Sequence, residues 1–313
     1  MKTLGVAGLW AVLALLALPA ASPASSDPSP PSQRRGKAFW LALARDCTVP
    51  AGDSAFGLVG EAVSFLGSPD TEWRDDIGYG VVAICVYQKR LLKAEERREI
   101  VARLSGNLRR GIGDTGTDSV LLRSFSALDL SILAAAEATE PALDDGGYRR
   151  LLDDALAYLR DERDLRGLEP RVGWIHATAH TADLLKFLAR DPRFTSADQL
   201  RLLDATWSKM TAPGSPVFTH AEDERVAAAV LSVVRRPDLD VSALDPWLAR
   251  FVVLEKEIWA KAPPDPATLD ASQNARNLLR SFYVLLSLSE PAPTVGQTAA
   301  RDKVLATLLQ IRR

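Results

Sequence analysis

Apolar residues recur at three-and-four spacing through nearly the whole chain. The segments run near 38–46, 54–66, 72–90, 94–108, 118–138, 146–161, 173–190, 196–210, 220–235, 242–260, 269–289 and 297–311. That spacing predicts amphipathic helices, each with one apolar stripe. No segment shows the sustained alternation of a half-buried strand. Short clusters of Gly, Pro, Asp and Ser separate the segments, the stop and turn signals expected between antiparallel helices. Ser196-Ala197-Asp198-Gln199 and Thr219-His220-Ala221-Glu222 read as capping boxes. Ser68-Pro69-Asp70 reads as a capping serine with proline at the first helical position. The expected fold class is all-α.

The spacing of the helices adds an architecture. Helix pairs begin near 72, 118, 173, 220 and 269, at intervals of roughly 45 to 55 residues, comparable to helical-hairpin repeats of about 40–47. The first helix of each pair opens polar and then turns apolar, as in Trp73-Arg74-Asp75-Asp76-Ile77 and Glu222-Asp223-Glu224-Arg225-Val226. An irregular stack of antiparallel helical hairpins, α-solenoid or HEAT-like, accounts for this pattern. A non-repeating helical bundle is the alternative.

The N-terminus departs from the helical pattern. Residues 1–21 read as a signal peptide: Lys2, an uncharged apolar run from Leu4 to Leu18, then small residues around Ala20 and Ala21. The run stops at Pro19, short of the roughly 20 apolar residues that span a bilayer. Residues 22–36 read as a disordered Ser/Pro-rich linker, and 37–313 as a single all-helical domain. The expected location is exported, periplasmic or extracellular, with no membrane insertion of the mature chain. Losing Lys2 changes 38 basic and 40 acidic residues to 37 and 40, a net charge of −3. That balance, with no polybasic block, argues against nucleic acid. Cys47 and Cys85 could form one disulfide in such a compartment, but Cys85 lies in Val81-Val82-Ala83-Ile84-Cys85-Val86 and reads more readily as a small buried hydrophobe.

Candidate chemistry concentrates in Gly173-Trp174-Ile175-His176-Ala177-Thr178-Ala179-His180-Thr181-Ala182-Asp183, which holds two of the three histidines. Helical spacing puts His176, His180, Asp183 and Phe187 on one stripe, with Trp174, Leu184, Leu185 and Leu188 on the main apolar arc. Histidines at i and i+4 with a nearby carboxylate make a workable half of a zinc site. His220 opens a later helix and could face the same groove. Ala177, not glutamate, follows His176, so no general base is built in. The plainer alternative is that each imidazole bonds a carboxylate or carbonyl on a neighbouring helix.

Other motifs are weaker. Glu222-Asp223-Glu224-Arg225 places acids where a helix dipole favours them anyway, while Arg225 suits bidentate carboxylate or phosphate recognition. Glu162-Arg163-Asp164-Leu165-Arg166-Gly167 reads as a solvated charged turn. Gln273, Asn277 and Arg280 repeat the i, i+4, i+7 spacing, so a groove shared with the histidine helix would be polar and mixed in charge. Gly111-Ile112-Gly113-Asp114-Thr115-Gly116 matches G-x-G-x-x-G but follows a basic helix instead of a strand, and reads as an interhelix loop.

An ordered set of these pieces resembles a known family. It comprises Arg74-Asp75-Asp76-Ile77-Gly78-Tyr79, Leu122-Arg123-Ser124-Phe125-Ser126-Ala127, Asp164-Leu165-Arg166-Gly167, the histidine segment through Leu185, and Glu222-Asp223-Glu224-Arg225. Together they resemble the bacterial family called domain of unknown function 2785, over most of residues 60 to 290. The resemblance implies an all-helical protein and carries no established activity. It singles out Arg123, His176, His180 and Asp183, and the exported N-terminus departs from it.

Three functions are compatible with these residues. The first is an exported helical protein that binds a small polar ligand or peptide in a polar groove, through Arg123, His176, His180, Asp183 and Arg225. The second is a metal-dependent hydrolase in which His176, His180 and Asp183 hold zinc and lower the pKa of its water, with Glu222 or Asp223 as base. The third is a structural polar network with no ligand.

Overall fold

The computed structural model describes residues 35–260, 262–288 and 294–311. The expected signal segment, and the linker up to Arg34, lie outside the described residues. The described chain is all-α apart from one pair of two-residue strands.

Two short helices, α1 (Lys37–Asp46) and α2 (Ala55–Ala62), pack on α3, a helical rod over residues 72–88 that is π-wound over Glu72–Tyr79 and Ala83–Gln88. From α3 onward the helices alternate between two layers. The first layer sets α3, α5 (Ser119–Glu137), α7 (Ala177–Leu188), α9 (Glu222–Val234) and α11 (Pro266–Ser287) side by side in that order. The second layer runs α4 (Ala94–Asn107), α6 (Asp145–Asp161), α8 (Ser196–Met210), α10 (Asp245–Trp259) and α12 (Val295–Gln310), each packed on the first. Strands β1 (Leu168–Glu169) and β2 (Gly173–Trp174) form a small antiparallel ladder just before α7. A two-residue strand is too short to leave an alternating signature in the sequence.

The core fills the space between layers. Leu121, Leu130, Leu133, Leu184, Leu185, Val230 and Leu278 are buried there with their second-layer partners Leu151, Leu152 and Leu202. The most extensive first-layer contact joins α5 to α7. Ser124, Ser126, Ala127 and Ser131 keep α5 slim, so its neighbours approach closely. Helix α5 is long and apolar enough to cross a membrane by composition, and here it is a mostly buried core helix.

Three helix starts differ from the sequence expectation. Thr195, one residue earlier than expected, caps α8, because the Asp198 carboxylate reaches back to accept the Thr195 N–H at 2.9 Å. Asp70 caps α3 in place of Ser68, its Oδ1 accepting the Glu72 N–H at 2.9 Å. Glu222 does not box Thr219; its carboxylate accepts the His220 N–H at 2.8 Å, and α9 starts from Ala221 in the left-handed region. Cys47 and Cys85 are bonded, with Cα atoms 5.4 Å apart, tying the end of α1 to α3. Cys85 is thus both fully buried and half of a disulfide.

Candidate functional site

The segment 162–176, which connects α6 to α7, determines where the histidines go. Its ladder continues past the strands: the Ile175 N–H donates to the Gly167 carbonyl at 2.8 Å and the His176 N–H to the Arg166 carbonyl at 3.2 Å. Helix α7 therefore begins at Ala177, and His176 is its N-cap with φ 54°, a conformation uncommon outside glycine. The expected single stripe is split. His180 and Asp183 lie on the helix, while His176 stands on the turn before it.

His180 is buried between α5 and α7. The Ser124 hydroxyl gives its proton to the Ile175 carbonyl, so Nδ1 of His180, 2.8 Å from the same oxygen, is the donor in that pair. Phe125 packs edge-on to His180 with ring centres 5.0 Å apart, and the fully buried Arg74 lies 4.6 Å from the Phe125 centre. Burial, and next the neighbouring His176, push the His180 pKa down to about 3, so the ring is neutral.

His176 links α7 to α9. Its Nε2 donates to the His220 carbonyl at 2.6 Å and lies 3.5 Å from Oε1 of the buried Glu222. Burial lowers its pKa and the Glu222 carboxylate opposes the shift. The Trp174 indole stacks on the His176 ring at 4.8 Å and meets His220 edge-on at 5.8 Å. His176 and His180 are themselves 5.7 Å apart, so all three histidines join one chain of ring contacts. A β-carbon on Gly167 would collide with the His220 ring, which is why glycine ends the charged turn.

Asp183 and Arg123 are saturated. Burial alone would raise Asp183, but Arg225, with Nε 3.0 Å and 3.2 Å from the two oxygens, and Lys186 at 2.8 Å hold it below the usual carboxylate range. Arg123, fully buried, pairs both Nε (2.6 Å) and Nη2 (3.1 Å) with Glu162 and donates from Nη1 to the Arg110 carbonyl at 3.0 Å. The G-x-G-x-x-G segment is the interhelix loop expected, wrapped around Arg123: Gly111 has φ 64°, and its missing β-carbon would sit 3.3 Å from Arg123 Nη1. The expected solvated turn is instead a buried network. Glu162 and Asp164 are both buried; Asp164 holds Arg166 and accepts the Gly116 N–H at 2.9 Å.

These contacts bear on metal binding. Two cations, Arg225 and Lys186, close on Asp183, and a dication placed there would meet both charges. Among the described residues no group of three or more His, Cys, Asp or Glu is placed to hold a metal ion. The donor set does not fit zinc.

An open surface lies beside this network, at the start of α9. A cleft of about 670 Å³ runs between the N-terminal end of α9 and the middle of α11, lined by Thr219, Ala221, Asp223, Glu224, Gln273 and Asn277 over Val217 and Phe218. Asn274 fixes its floor, its Oδ1 accepting the Phe218 N–H at 2.8 Å and its Nδ2 donating to the Pro216 carbonyl at 3.0 Å. Gln273 donates to Asn277 at 2.7 Å, and Asp223 accepts the Ser281 hydroxyl at 2.6 Å. Of the five residues expected to bind ligand, only Arg225 keeps much exposed surface, 44 % of its side chain, and none lines this cleft. Trp174, expected on the apolar arc, is 41 % exposed beside His220. Its neighbour Gly173, a helix-breaking glycine, was the signal that the arc did not extend to it. Asp129 is the other residue missed: fully buried, with neither carboxylate oxygen hydrogen-bonded.

No curated protein and no solved structure matches the chain. The family model described as "protein of unknown function (DUF2785)" matches residues 108–284, which span α5 through most of α11, more than half of the chain. The helices that carry the histidine–tryptophan chain and the rim cleft are those of that segment, and the chain belongs to the DUF2785 family.

Proposed function

We propose that this is an exported helical-hairpin protein that binds a small polar ligand or short peptide in the rim cleft between α9 and α11, without catalysing a reaction on it. The observation that carries the reading is the rim cleft, whose polar lining mixes carboxylates, amides and a hydroxyl. Convergent polar groups over an apolar floor are what fix the orientation of a small ligand. The exposed Trp174 indole, backed by His176, offers a flat apolar surface near His220 and the same rim. The Cys47–Cys85 disulfide supports the exported location, since such bonds persist in oxidising compartments.

In this reading the sequence-marked residues work behind the site. Ser124–His180 joins α5 to α7, His176–His220 and Asp183–Arg225 join α7 to α9, and Asp223–Ser281 joins α9 to α11. This cross-linked row holds the rim in shape. The third function considered, a purely structural network, describes these residues well but leaves the cleft unexplained.

The test is calorimetric titration of the purified chain with free amino acids and short unblocked peptides. Saturable binding lost in the Gln273→Ala, Asn277→Ala double variant is the expected result. Binding that survives the double variant would place the ligand elsewhere.

A further inference from the structure

Along α7 and α9 the cations Lys186, Arg190 and Arg225 have one carboxylate as ion-pair partner among the described residues. Lys186 and Arg225 share one carboxylate, that of Asp183. Arg190, one turn beyond Lys186, is in no ion pair among the described residues. Its Nε donates to the Ser232 hydroxyl at 3.3 Å, and its guanidinium lies 5.0 Å from the Phe187 ring centre. Lys186 lies over the same ring at 4.7 Å. Burial and then the like charge of Arg235 disfavour the Arg190 cation, while Tyr87 of α3 favours it, so residues of α3, α7 and α9 meet here. Tyr79, also on α3, is in electrostatic reach of both Asp183 and Arg225.

The position of these groups narrows what they can bind. Helix C-termini attract cations, which accounts for Arg190 and Arg235 at the ends of α7 and α9. Arg225, in the first turn of α9 where a cation is disfavoured, is held by Asp183. Between the tyrosines of α3 and the cations of α7, helix α5 presents Leu128, Ile132 and Ala135, half-buried at i, i+4, i+7. Charge alone would suit any anion. The aliphatic strip and the rings of Phe187, Tyr79 and Tyr87 favour an anion with an apolar body.

We propose that this face binds an amphiphilic carboxylate, its head at Lys186 and Arg190 beside the Phe187 ring and its hydrocarbon body over Leu128 and Ile132. The site goes beyond the rim cleft and shares none of its lining residues.

The experiment is calorimetric titration of the full chain with dodecanoate, with dodecyltrimethylammonium and a hexaglutamate peptide as comparisons. Saturable binding of dodecanoate with Kd below about 100 μM is expected, weakening with added salt. Arg190→Glu, a change outside the Asp183 ion pairs, is expected to weaken it by about tenfold or more with the melting temperature unchanged. If that variant melts early, Arg190→Gln serves in its place. The proposal is overturned if dodecanoate does not saturate, if the ammonium binds equally well, or if the Arg190 variants bind as the parent does. Preference for hexaglutamate over dodecanoate overturns it in favour of an acidic peptide. Loss of rim binding in the Gln273/Asn277 double variant leaves it intact, so the two sites fail separately.

Discussion

The Ser124 hydroxyl stands between the Ile175 carbonyl and Nδ1 of His180, giving a proton to the first and taking one from the second at 2.8 Å. The pair fastens α5 to the turn that precedes α7, and burial beside Phe125 keeps its imidazole neutral.

A pH dependence follows. An unfolded histidine has a pKa near 6.5, and His180 is held at about 3 in the folded chain, so below pH ~6.5 the unfolded state takes up a proton the folded state refuses. The stability His180 contributes is complete above pH ~6.5 and falls progressively towards pH ~3, by several kcal/mol in total as an order of magnitude. Thermal melts from pH 7.5 to 4 should show a steep decline that flattens in His180→Gln. An equally steep decline in the variant would assign the dependence to other groups.

Asp129 predicts the opposite slope. Burial alone raises its pKa well above the usual value, and its charge would act on Tyr79 across the α3–α5 contact. The folded state therefore keeps a proton that the unfolded state releases above pH ~4, and stability attributable to Asp129 falls as pH rises from there. Asp129→Asn should raise stability at pH 7, a gain that shrinks to near zero by pH ~4. Urea unfolding at both pH values measures it; a destabilised variant at pH 7 would mean that Asp129 has a partner when folded.

Arg123 should be structural in the strict sense. Its guanidinium is completely buried on Glu162, which is itself buried and whose carbonyl also accepts Lys209 Nζ at 2.8 Å. Arg123→Ala leaves that carboxylate without its partner, at a cost of about 3–5 kcal/mol. Denaturant midpoints would show the loss, while binding at the rim, measured where the variant stays folded, should be unchanged.

The disulfide closes a sequence separation of 38 residues, which confines the unfolded chain. Replacing both Cys47 and Cys85 by serine should destabilise the protein by about 2–4 kcal/mol in thermal or urea melts. No change would mean that the bridge does not form in the purified chain.

Helical periodicity made the all-α class and most helices legible because each helix buries one stripe against the other layer. Boundaries set by side-chain chemistry were not legible. Asp198 reaching back to Thr195, and Gly167 making room for His220, depend on contacts that no local pattern encodes. The histidine segment shows this most clearly. His176, His180 and Asp183 have helical spacing, yet the backbone bonds of Ile175 and His176 to Gly167 and Arg166 hold His176 off the helix. The polar groups of this segment stand out in the sequence but their partners do not, since Ser124, Glu222 and Arg225 arrive from other helices. Asp129 was visible as a lone acid between Leu128 and Leu130, the kind of exception that apolar periodicity should prompt one to mark.

The Asp183–Arg225 pair argues against a metal at the histidines. A zinc ion bound through His176, His180 and Asp183 would have to displace Arg225 and Lys186 from the carboxylate and take Nε2 of His176 from the His220 carbonyl. Each displacement breaks a bond already made, and the released cations would still repel the ion. Purified protein should therefore contain no stoichiometric zinc by elemental analysis, and excess chelator should leave its melting temperature unchanged. By the same argument Arg225→Ala should lower stability by about 1–3 kcal/mol, because Asp183 then keeps only Lys186. Stoichiometric zinc lost in His176→Ala and His180→Ala, with a melting temperature that falls on chelation, would restore the hydrolase reading.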